Sequence, residues 1–98
     1  MNVFVHPLVQ QDYDKALYYY EEESLSLARR FETAIRHGMQ RIVATPTAFP
    51  YHLKQQVYRR YKLDRFPYLI VYRLRENEIN IVTIKHEKQR PTFGLSRL

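Results

Sequence analysis

The sequence of 98 residues contains no cysteine, no tryptophan and only two glycines. Without cysteine it has no disulfide scaffold, no thiol nucleophile and no cysteine-ligated metal, which is consistent with a reducing compartment. With only Gly38 and Gly94, it has no glycine-rich loop of the kind that cradles phosphates. It also lacks a secretory signal and any apolar run near the length of about 18 residues that a membrane-spanning helix needs. We therefore expect a cytoplasmic protein that does not enter a membrane.

What the sequence does contain is the composition of an ordinary folded domain. Hydrophobic residues make up 45% of it and charged residues 27%, both near the average for globular proteins. A chain of this length corresponds to one domain, and no internal repeat, flexible linker or low-complexity run divides it. We expect a single domain over residues 1–98, in which nearly every apolar segment joins one core.

The positive charge of the chain is concentrated in its second half. Residues 1–49 carry five Lys or Arg and six Asp or Glu, whereas residues 50–98 carry eleven and four. The formal net charge of +6 is therefore composed of −1 in the first half and +7 in the second. Such an asymmetry indicates an anionic partner, either a nucleic acid or an acidic polypeptide.

The first half of the sequence predicts a short strand over residues 2–6 and a helical hairpin over residues 8–23 and 25–44. In both helical segments, apolar residues recur at steps of three and four. Ser24 is a suitable N-cap for the second helix, which leaves a very short turn between the two. Pro46 ends the second helix, because the residue before a proline is pushed out of the α region.

In the second half the period of the apolar residues changes from about 3.6 to 2, which is typical of strands. Three segments, residues 57–63, 68–74 and 79–85, are rich in β-branched and aromatic residues and predict an antiparallel meander. A two-residue turn at Glu76-Asn77 would pair Arg75 with Glu78. The sequence therefore predicts an α+β fold with an N-terminal strand, a helical hairpin, a three-stranded meander and a short C-terminal tail.

The register set by the Arg75–Glu78 pair makes one face of the meander purely aliphatic and the other mixed. We expect the helices to pack on the aliphatic face and a partner to bind the mixed face. A different turn length would exchange the two faces. The aliphatic face has Val71 opposite Val82 and Leu69 opposite Ile84; the mixed face holds Tyr68, Ile70, Tyr72, Ile81, Thr83 and Lys85.

Specific residues resemble a known family. The run from Tyr58 to Tyr72, with the sequence YRRYKLDRFPYLIVY, resembles the basic strand, Arg-Phe-Pro-Tyr turn and apolar strand of the RelE/ParE superfamily of toxins from bacterial type II toxin–antitoxin modules. The order of the elements is also similar, and the likeness covers almost the whole chain. Further matches are His86-x-x-x-Arg90-Pro91 in the tail, and Asp12, Tyr19-Tyr20 and Ala28-x-x-Phe31 in the helical hairpin.

The resemblance implies a RelE/ParE-like toxin fold and a growth-inhibiting toxin of the plasmid-stabilisation type. It also implies a cognate antitoxin whose acidic, partly disordered C-terminal segment wraps the domain and neutralises it. Charge complementarity with a +7 half would speed this association. The resemblance implies no cofactor and no metal. Whether the free domain is a homodimer or acts only in a toxin–antitoxin hetero-oligomer stays open.

Two kinds of target are compatible with the resemblance. ParE-like members poison DNA gyrase and need only a complementary surface, and we favour this branch. RelE-like members are metal-independent endoribonucleases that cleave mRNA on the ribosome. A third alternative, outside the toxin class, is a non-toxic basic domain that binds nucleic acid.

The nuclease alternative assigns catalytic roles to His86, Arg60 and Arg90. Imidazole is the one side chain that titrates near neutrality without perturbation, so His86 is the proton-transfer candidate, and the two arginines would stabilise the charge of the transition state. Two departures weaken this alternative. Residues 44–56 contain no carboxylate, and Phe93 stands where some relatives have a tyrosine.

The binding alternative assigns contact with the target or RNA to basic residues of the meander and tail. Which of Arg59 and Arg60 faces the partner is left open, because a bulge in that strand would exchange them. The four histidines are scattered and predict no metal site. The residues assigned to contact are Lys54, Arg59, Lys62, Arg65, Lys85 and Arg97.

Overall fold

The computed structural model describes residues 1–97, and within them it contains four strands, two α-helices and a 3₁₀ turn. The predicted order is confirmed, and each predicted end of a helix or strand lies within one residue of the observed end. No helix in this part of the chain is long and apolar enough to cross a bilayer. In chain order the elements are β1 (Asn2–Val5), α1 (Leu8–Glu23), α2 (Leu25–Ala44), β2 (Tyr58–Lys62), β3 (Tyr68–Arg75), β4 (Glu78–His86) and the 3₁₀ turn (Leu95–Arg97).

A single serine separates the two helices. The Ser24 side-chain oxygen accepts a hydrogen bond from the backbone N–H of Leu27 (3.0 Å), which confirms the predicted N-cap. The N–H of Ser24 donates to the Tyr20 carbonyl oxygen (2.9 Å), so the same residue also ends α1. Because the Ser24 backbone is extended, with φ −167° and ψ 147°, the chain reverses there and α1 and α2 form the predicted hairpin.

The four strands form one sheet in the order β1-β4-β3-β2. β2, β3 and β4 are antiparallel neighbours, as the meander prediction requires. β1 adds to β4 in parallel and pairs only with its first half, Glu78–Ile81. The second half of β4, as far as His86, therefore extends beyond β1 and is free to contact α1 and the C-terminal tail.

The β3–β4 register departs from the predicted one at a β-bulge. The two-residue turn pairs Arg75 with Glu78 as expected, but Val82 is then inserted into β4 without a partner on β3. One inserted residue shifts every later pair by one position, so the predicted register beyond it is wrong. The observed pairs are Val71–Thr83 and Leu69–Lys85, in place of Val71–Val82 and Leu69–Ile84.

The helices pack on the face of the meander that carries Tyr68, Ile70, Tyr72 and Ile81, and the prediction that they cover the aliphatic face is wrong. Beyond the bulge, Ile84 also lies on the helix side, whereas Thr83 and Lys85 lie on the other face with Val71 and Leu69.

The reason for the position of the helices is aromatic packing: the fully buried Phe31 ring of α2 meets the rings of Phe66 and Tyr68 edge to face, with centroids 5.3 and 5.4 Å apart. The Tyr72 hydroxyl is satisfied there too, since it donates to the Pro46 carbonyl oxygen (2.6 Å). The aliphatic residues Leu69, Val71 and Val82 form a smaller cluster on the other face.

Gly38 allows α2 to approach β2 closely. A Cβ at this position would lie 2.8 Å from the Tyr61 ring, closer than side-chain atoms pack, so the absence of a side chain is what admits the ring. Tyr61 therefore faces the helices. Because side chains alternate along a strand, its neighbours Arg60 and Lys62 point away from them.

Candidate functional site

The candidate site is the back face of the sheet, defined as the surface of β2, β3 and β4 that points away from α1 and α2. Tyr61 and Ile84 belong to the core between helices and sheet. By the alternation of side chains along a strand, Arg60 and Lys62 of β2 and Lys85 of β4 lie on the back face. The structure thus brings three of the predicted basic residues to one surface.

The C-terminal tail, residues 87–97, crosses part of this back face. The Tyr58 hydroxyl donates to the Leu95 carbonyl oxygen (3.1 Å), and the Leu95 side chain packs on the aliphatic cluster. His52, in the segment before β2, lies with its Nε2 atom 2.7 Å from the Pro91 carbonyl oxygen. These contacts attach the tail to β2 and to the segment that precedes it.

Lys85 is buried beneath this covering and is only 2% exposed. Its ammonium group donates to the His86 carbonyl oxygen (2.9 Å). Burial lowers the pKa of Lys85, and the neighbouring carboxylate of Glu87 partly opposes that effect. With the tail in this position, a macromolecular partner has almost no access to the Lys85 side chain.

Arg97 anchors the tail to α1 rather than facing solvent. Its guanidinium makes two hydrogen bonds to the Asp12 carboxylate, of 2.6 and 3.0 Å, and donates to the Val82 carbonyl oxygen (3.1 Å). The same carboxylate accepts from the Thr83 hydroxyl (2.8 Å) and the Ile84 N–H (3.2 Å). Asp12 and Arg97 thus provide hydrogen-bond partners for backbone groups of β4 in the part of that strand that extends beyond β1.

Sequence reasoning missed this pair, although one signal was present. Asp12 stands three residues after Val9 and four before Ala16, both of which are buried. An acid on the apolar stripe of a helix needs a partner, because an unpaired buried charge is costly. The partner lies 85 residues away, beyond the reach of any local pattern.

The three candidate nuclease residues are not gathered around one point. Arg60 lies on the back face and donates to the carbonyl oxygens of Tyr51 (3.0 Å) and His52 (3.3 Å). His86 lies on the helix side of the sheet, where its ring packs edge-on against Tyr68 with centroids 5.0 Å apart. Arg90 is exposed in the tail. The sheet itself separates the imidazole from the Arg60 guanidinium.

Both arginines of β2 hold the segment between α2 and β2. Arg59 donates to the carbonyl oxygens of Thr47 (3.2 Å) and Phe49 (2.7 Å), and its guanidinium lies 4.2 Å from the centre of the Tyr51 ring. Arg60 faces the opposite way and binds carbonyl groups of the same segment. Of the two arginines, it is therefore Arg60 that points to the back face.

Three predicted contact residues are exposed. Lys54 lies in the segment before β2, and Lys62 and Arg65 lie at the β2–β3 turn. The Lys62 side chain is 48% exposed and its ammonium group is 3.9 Å from the Glu87 carboxylate. Arg65 has a left-handed backbone, with φ 69°. Within residues 1–97, no group of three His, Cys, Asp or Glu side chains is placed to hold a metal ion.

His52 is expected to make folding less favourable in acid. It is 9% exposed, and burial lowers its pKa. The nearby positive charges of Lys85 and Arg60 lower the pKa further, whereas the hydrogen bond to Pro91 raises it. Its Nδ1 atom is buried without a hydrogen-bond partner among the described residues. Because the folded pKa lies below the unfolded value of about 6.5, the unfolded chain binds the proton first. Stability is therefore complete above about pH 6.5 and is lost as the pH falls toward the folded pKa.

Urea unfolding at about pH 7.5 and about pH 5.5 measures this effect. His52→Gln retains an N–H donor for the Pro91 carbonyl but does not titrate, so its unfolding free energy should change less between the two pH values. His37→Gln, at an exposed position of α2, should keep the wild-type dependence. An unchanged pH dependence in His52→Gln would contradict the assignment.

A helical hairpin on one face of a four-stranded sheet, with basic residues and an anchored tail on the other, defines the RelE/ParE class of small α+β toxin. The family model described as ParE toxin of type II toxin-antitoxin system, parDE, matches residues 3–91. The chain belongs to this family, which confirms the resemblance seen in the sequence and implies a cognate antitoxin as its partner.

Comparison with solved structures supports the fold independently. The structure is similar to a chain of the chromosomal ParDE TA system from P. aeruginosa, with a TM-score of 0.65 and 17% sequence identity. The match covers 88% of this chain and 95% of that chain. No curated protein sequence matches this chain.

Proposed function

We propose that this toxin acts by binding and inhibiting DNA gyrase, without cleaving RNA, and that its cognate antitoxin neutralises it. The observation that carries the proposal is the separation of His86 and Arg60 by the sheet. Cleavage of RNA needs a base, an acid and cations within hydrogen-bonding reach of one phosphate. Residues on opposite faces of a sheet do not meet this condition, whereas inhibition by binding requires only an exposed complementary surface.

The β2–β3 turn provides such a surface. Phe66 is 7% exposed and packs against Tyr20 and Phe31, with ring centroids 5.0 and 5.3 Å apart. This buried ring anchors the turn to the helices, so the adjacent Arg65 is held outward on a rigid support. Because the backbone of the turn is already ordered, binding through Arg65 does not incur the entropy cost of ordering the turn, which favours affinity.

Two activities of the purified toxin should be measured in parallel: gyrase supercoiling of plasmid DNA and cleavage of mRNA on translating ribosomes. We expect inhibition of supercoiling and no cleavage. Arg65→Glu should raise the toxin concentration needed for half-inhibition about tenfold, the usual order for losing one charged contact. Arg75→Glu makes the same charge change at an exposed position, the last residue of β3, and should have little effect.

Cleavage of mRNA that is lost in both Arg60→Ala and His86→Ala would overturn the proposal and establish the nuclease alternative. The toxin assignment has its own test in cells. Expression of this chain alone should arrest growth, and co-expression of the antitoxin from the adjacent gene should restore it. Normal growth at a high level of expression would contradict an active toxin.

A further inference from the structure

The first strand, β1, forms an open edge of the sheet. In the order β1-β4-β3-β2, only β4 pairs with it. The N–H groups of Asn2 and His6 donate to carbonyl oxygens of β4 and of the turn before it (3.0 Å each). Because alternate residues of a strand bond to the same neighbour, the N–H and carbonyl groups of Val3 and Val5 point away from β4. No other strand of residues 1–97 lies on that side.

The edge of β1 has none of the features by which edge strands usually avoid pairing. Its sequence, NVFV, has no charged residue and no proline, and its pairing with β4 has no bulge. Val3, Phe4 and Val5 are each 43% exposed. Proteins protect their sheet edges with lysine, proline, bulges or a covering segment. An apolar edge without this protection is a template for one more strand.

Both faces of this edge are apolar. Val3 and Val5 are the parallel partners of Ile79 and Ile81, which belong to the core between the sheet and the helices. The two valines therefore point to the helix side. Because side chains alternate along a strand, Phe4 points to the back face. An added strand would gain apolar contacts on both sides of the sheet.

The edge is complementary to a second copy of itself. When two β1 strands lie antiparallel about a two-fold axis between their Phe4 residues, Val3 of each copy lies opposite Val5 of the other. The outward backbone groups of these residues then face each other, and each pair exchanges both of its N–H···O bonds. The two Phe4 rings lie side by side on the back face.

The polar residues that flank the strand are complementary in the same arrangement. Asn2 of one copy lies opposite His6 of the other. The His6 Nδ1 atom accepts a hydrogen bond from the Leu8 N–H (3.1 Å), so Nε2 carries the ring proton and can donate to the Asn2 amide oxygen. Pro7 follows and has no N–H, so the ladder between the two copies ends there.

The charges of the chain do not oppose this contact. The charged residues nearest to Asn2 are of both signs, namely Arg75, Glu76 and Glu78. The exposed Lys62 belongs to β2, at the opposite edge of the sheet. In a dimer through β1, the two β2 strands are seven strand spacings or about 34 Å apart. This distance is several times the Debye length of about 8 Å, so the two basic surfaces hardly repel each other.

We propose that the free toxin forms a symmetric dimer through β1, in which two four-stranded sheets join into one sheet of eight strands. The contact is closed, because each copy uses its β1 edge and no further β1 edge remains. A second copy suits this edge better than a nucleic acid does, because β1 has no cation to bind phosphate. The dimer leaves the β2–β3 turn exposed, so it is independent of the proposed inhibition of gyrase.

Disulfide cross-linking tests the contact together with its register, in a chain that has no cysteine of its own. The two Phe4 residues form a non-hydrogen-bonded pair with Cα atoms about 4.5 Å apart, which a disulfide can span. Phe4→Cys should therefore give a linked dimer as the main product of mild oxidation. In Val3→Cys the two Cα atoms are about 8–9 Å apart, too far for a disulfide, so little dimer should form. Val43→Cys, at a position of α2 that is 48% exposed, measures linkage by random collision.

Sedimentation equilibrium tests the association without cross-linking. The mass of the wild-type toxin should rise from that of one chain toward that of two, over concentrations around a micromolar dissociation constant, on the order expected of a small interface. Val3→Lys should raise this constant at least about tenfold, since lysine is a usual protection of edge strands. Val43→Lys makes the same change on the exposed side of α2 and should leave the constant unchanged.

Four results would contradict the proposal. The first is a wild-type mass of one chain at every concentration. The second is equal linkage of Phe4→Cys and Val43→Cys, which would attribute the product to collision, and the third is linkage through Val3→Cys in place of Phe4→Cys, which would exclude the register. The fourth is growth beyond two chains without linkage at Phe4, the result expected if β1 pairs head to tail with β2 of the next copy. None of these measurements involves gyrase or an antitoxin, so a failure here leaves the proposed function standing.

Discussion

Replacing Arg97 by methionine is expected to lower the free energy of unfolding by about 3–5 kcal/mol. The Asp12 side chain is 7% exposed, and the substitution would leave its carboxylate without the guanidinium that makes the bonds of 2.6 and 3.0 Å. A buried charge that loses its partner retains the whole cost of desolvation. Urea unfolding followed by circular dichroism measures the loss.

Two further variants separate this mechanism from a general loss of packing. Arg75→Met removes an exposed arginine and should change stability by less than about 0.5 kcal/mol. Combining Asp12→Asn with Arg97→Met should recover part of the loss, because the isolated carboxylate is then gone. If Arg97→Met unfolds at the wild-type urea concentration, the ion pair does not anchor the tail.

Replacing Gly94 by alanine should cost about 2–4 kcal/mol, for two reasons that add. Gly94 has φ +82°, a left-handed conformation that strains any residue with a side chain. The new Cβ would also lie 2.6 Å from the Thr83 Cβ, and Thr83 is fully buried in β4. The tail cannot move away easily, because Arg97 holds it three residues later.

A double-mutant cycle with Thr83→Gly separates the two contributions. Thr83→Gly removes the atoms that the new methyl group would meet, so in that background Gly94→Ala should cost only the backbone strain, about 1 kcal/mol. Ser96→Ala, at an exposed position of the same tail, should be nearly neutral. An equal cost of Gly94→Ala in both backgrounds would contradict close packing of the tail on Thr83.

Arg97→Met and Gly94→Ala both weaken the attachment of the tail, which covers part of the back face. Lys85 is 2% exposed and His52 9% exposed in the anchored arrangement. Neither side chain therefore forms part of an accessible binding surface. With the tail in place, the exposed residues Lys54, Lys62 and Arg65 are the predicted contact residues that a partner could reach.

Local sequence patterns specify the elements of this protein and their order. The bounds of both helices, the Ser24 cap and the two-residue turn between Arg75 and Glu78 follow from residues close to one another in the chain. Capping, period and turn preferences act over a few residues, so a single sequence contains the information needed to apply them. The run from Tyr58 to Tyr72 is also continuous in the chain, and its residue pattern alone is enough to indicate the toxin family.

The faces and partners of these elements depend on tertiary packing. The bulge at Val82 exchanges the two faces of β4 in the residues that follow it, and β-bulges have no sequence signature comparable to a turn or a cap. The placement of His86 and Arg60 on opposite sides follows from that packing. The Asp12–Arg97 pair joins residues 85 positions apart. Such contacts depend on how the whole chain fills one core, and a local pattern does not encode them.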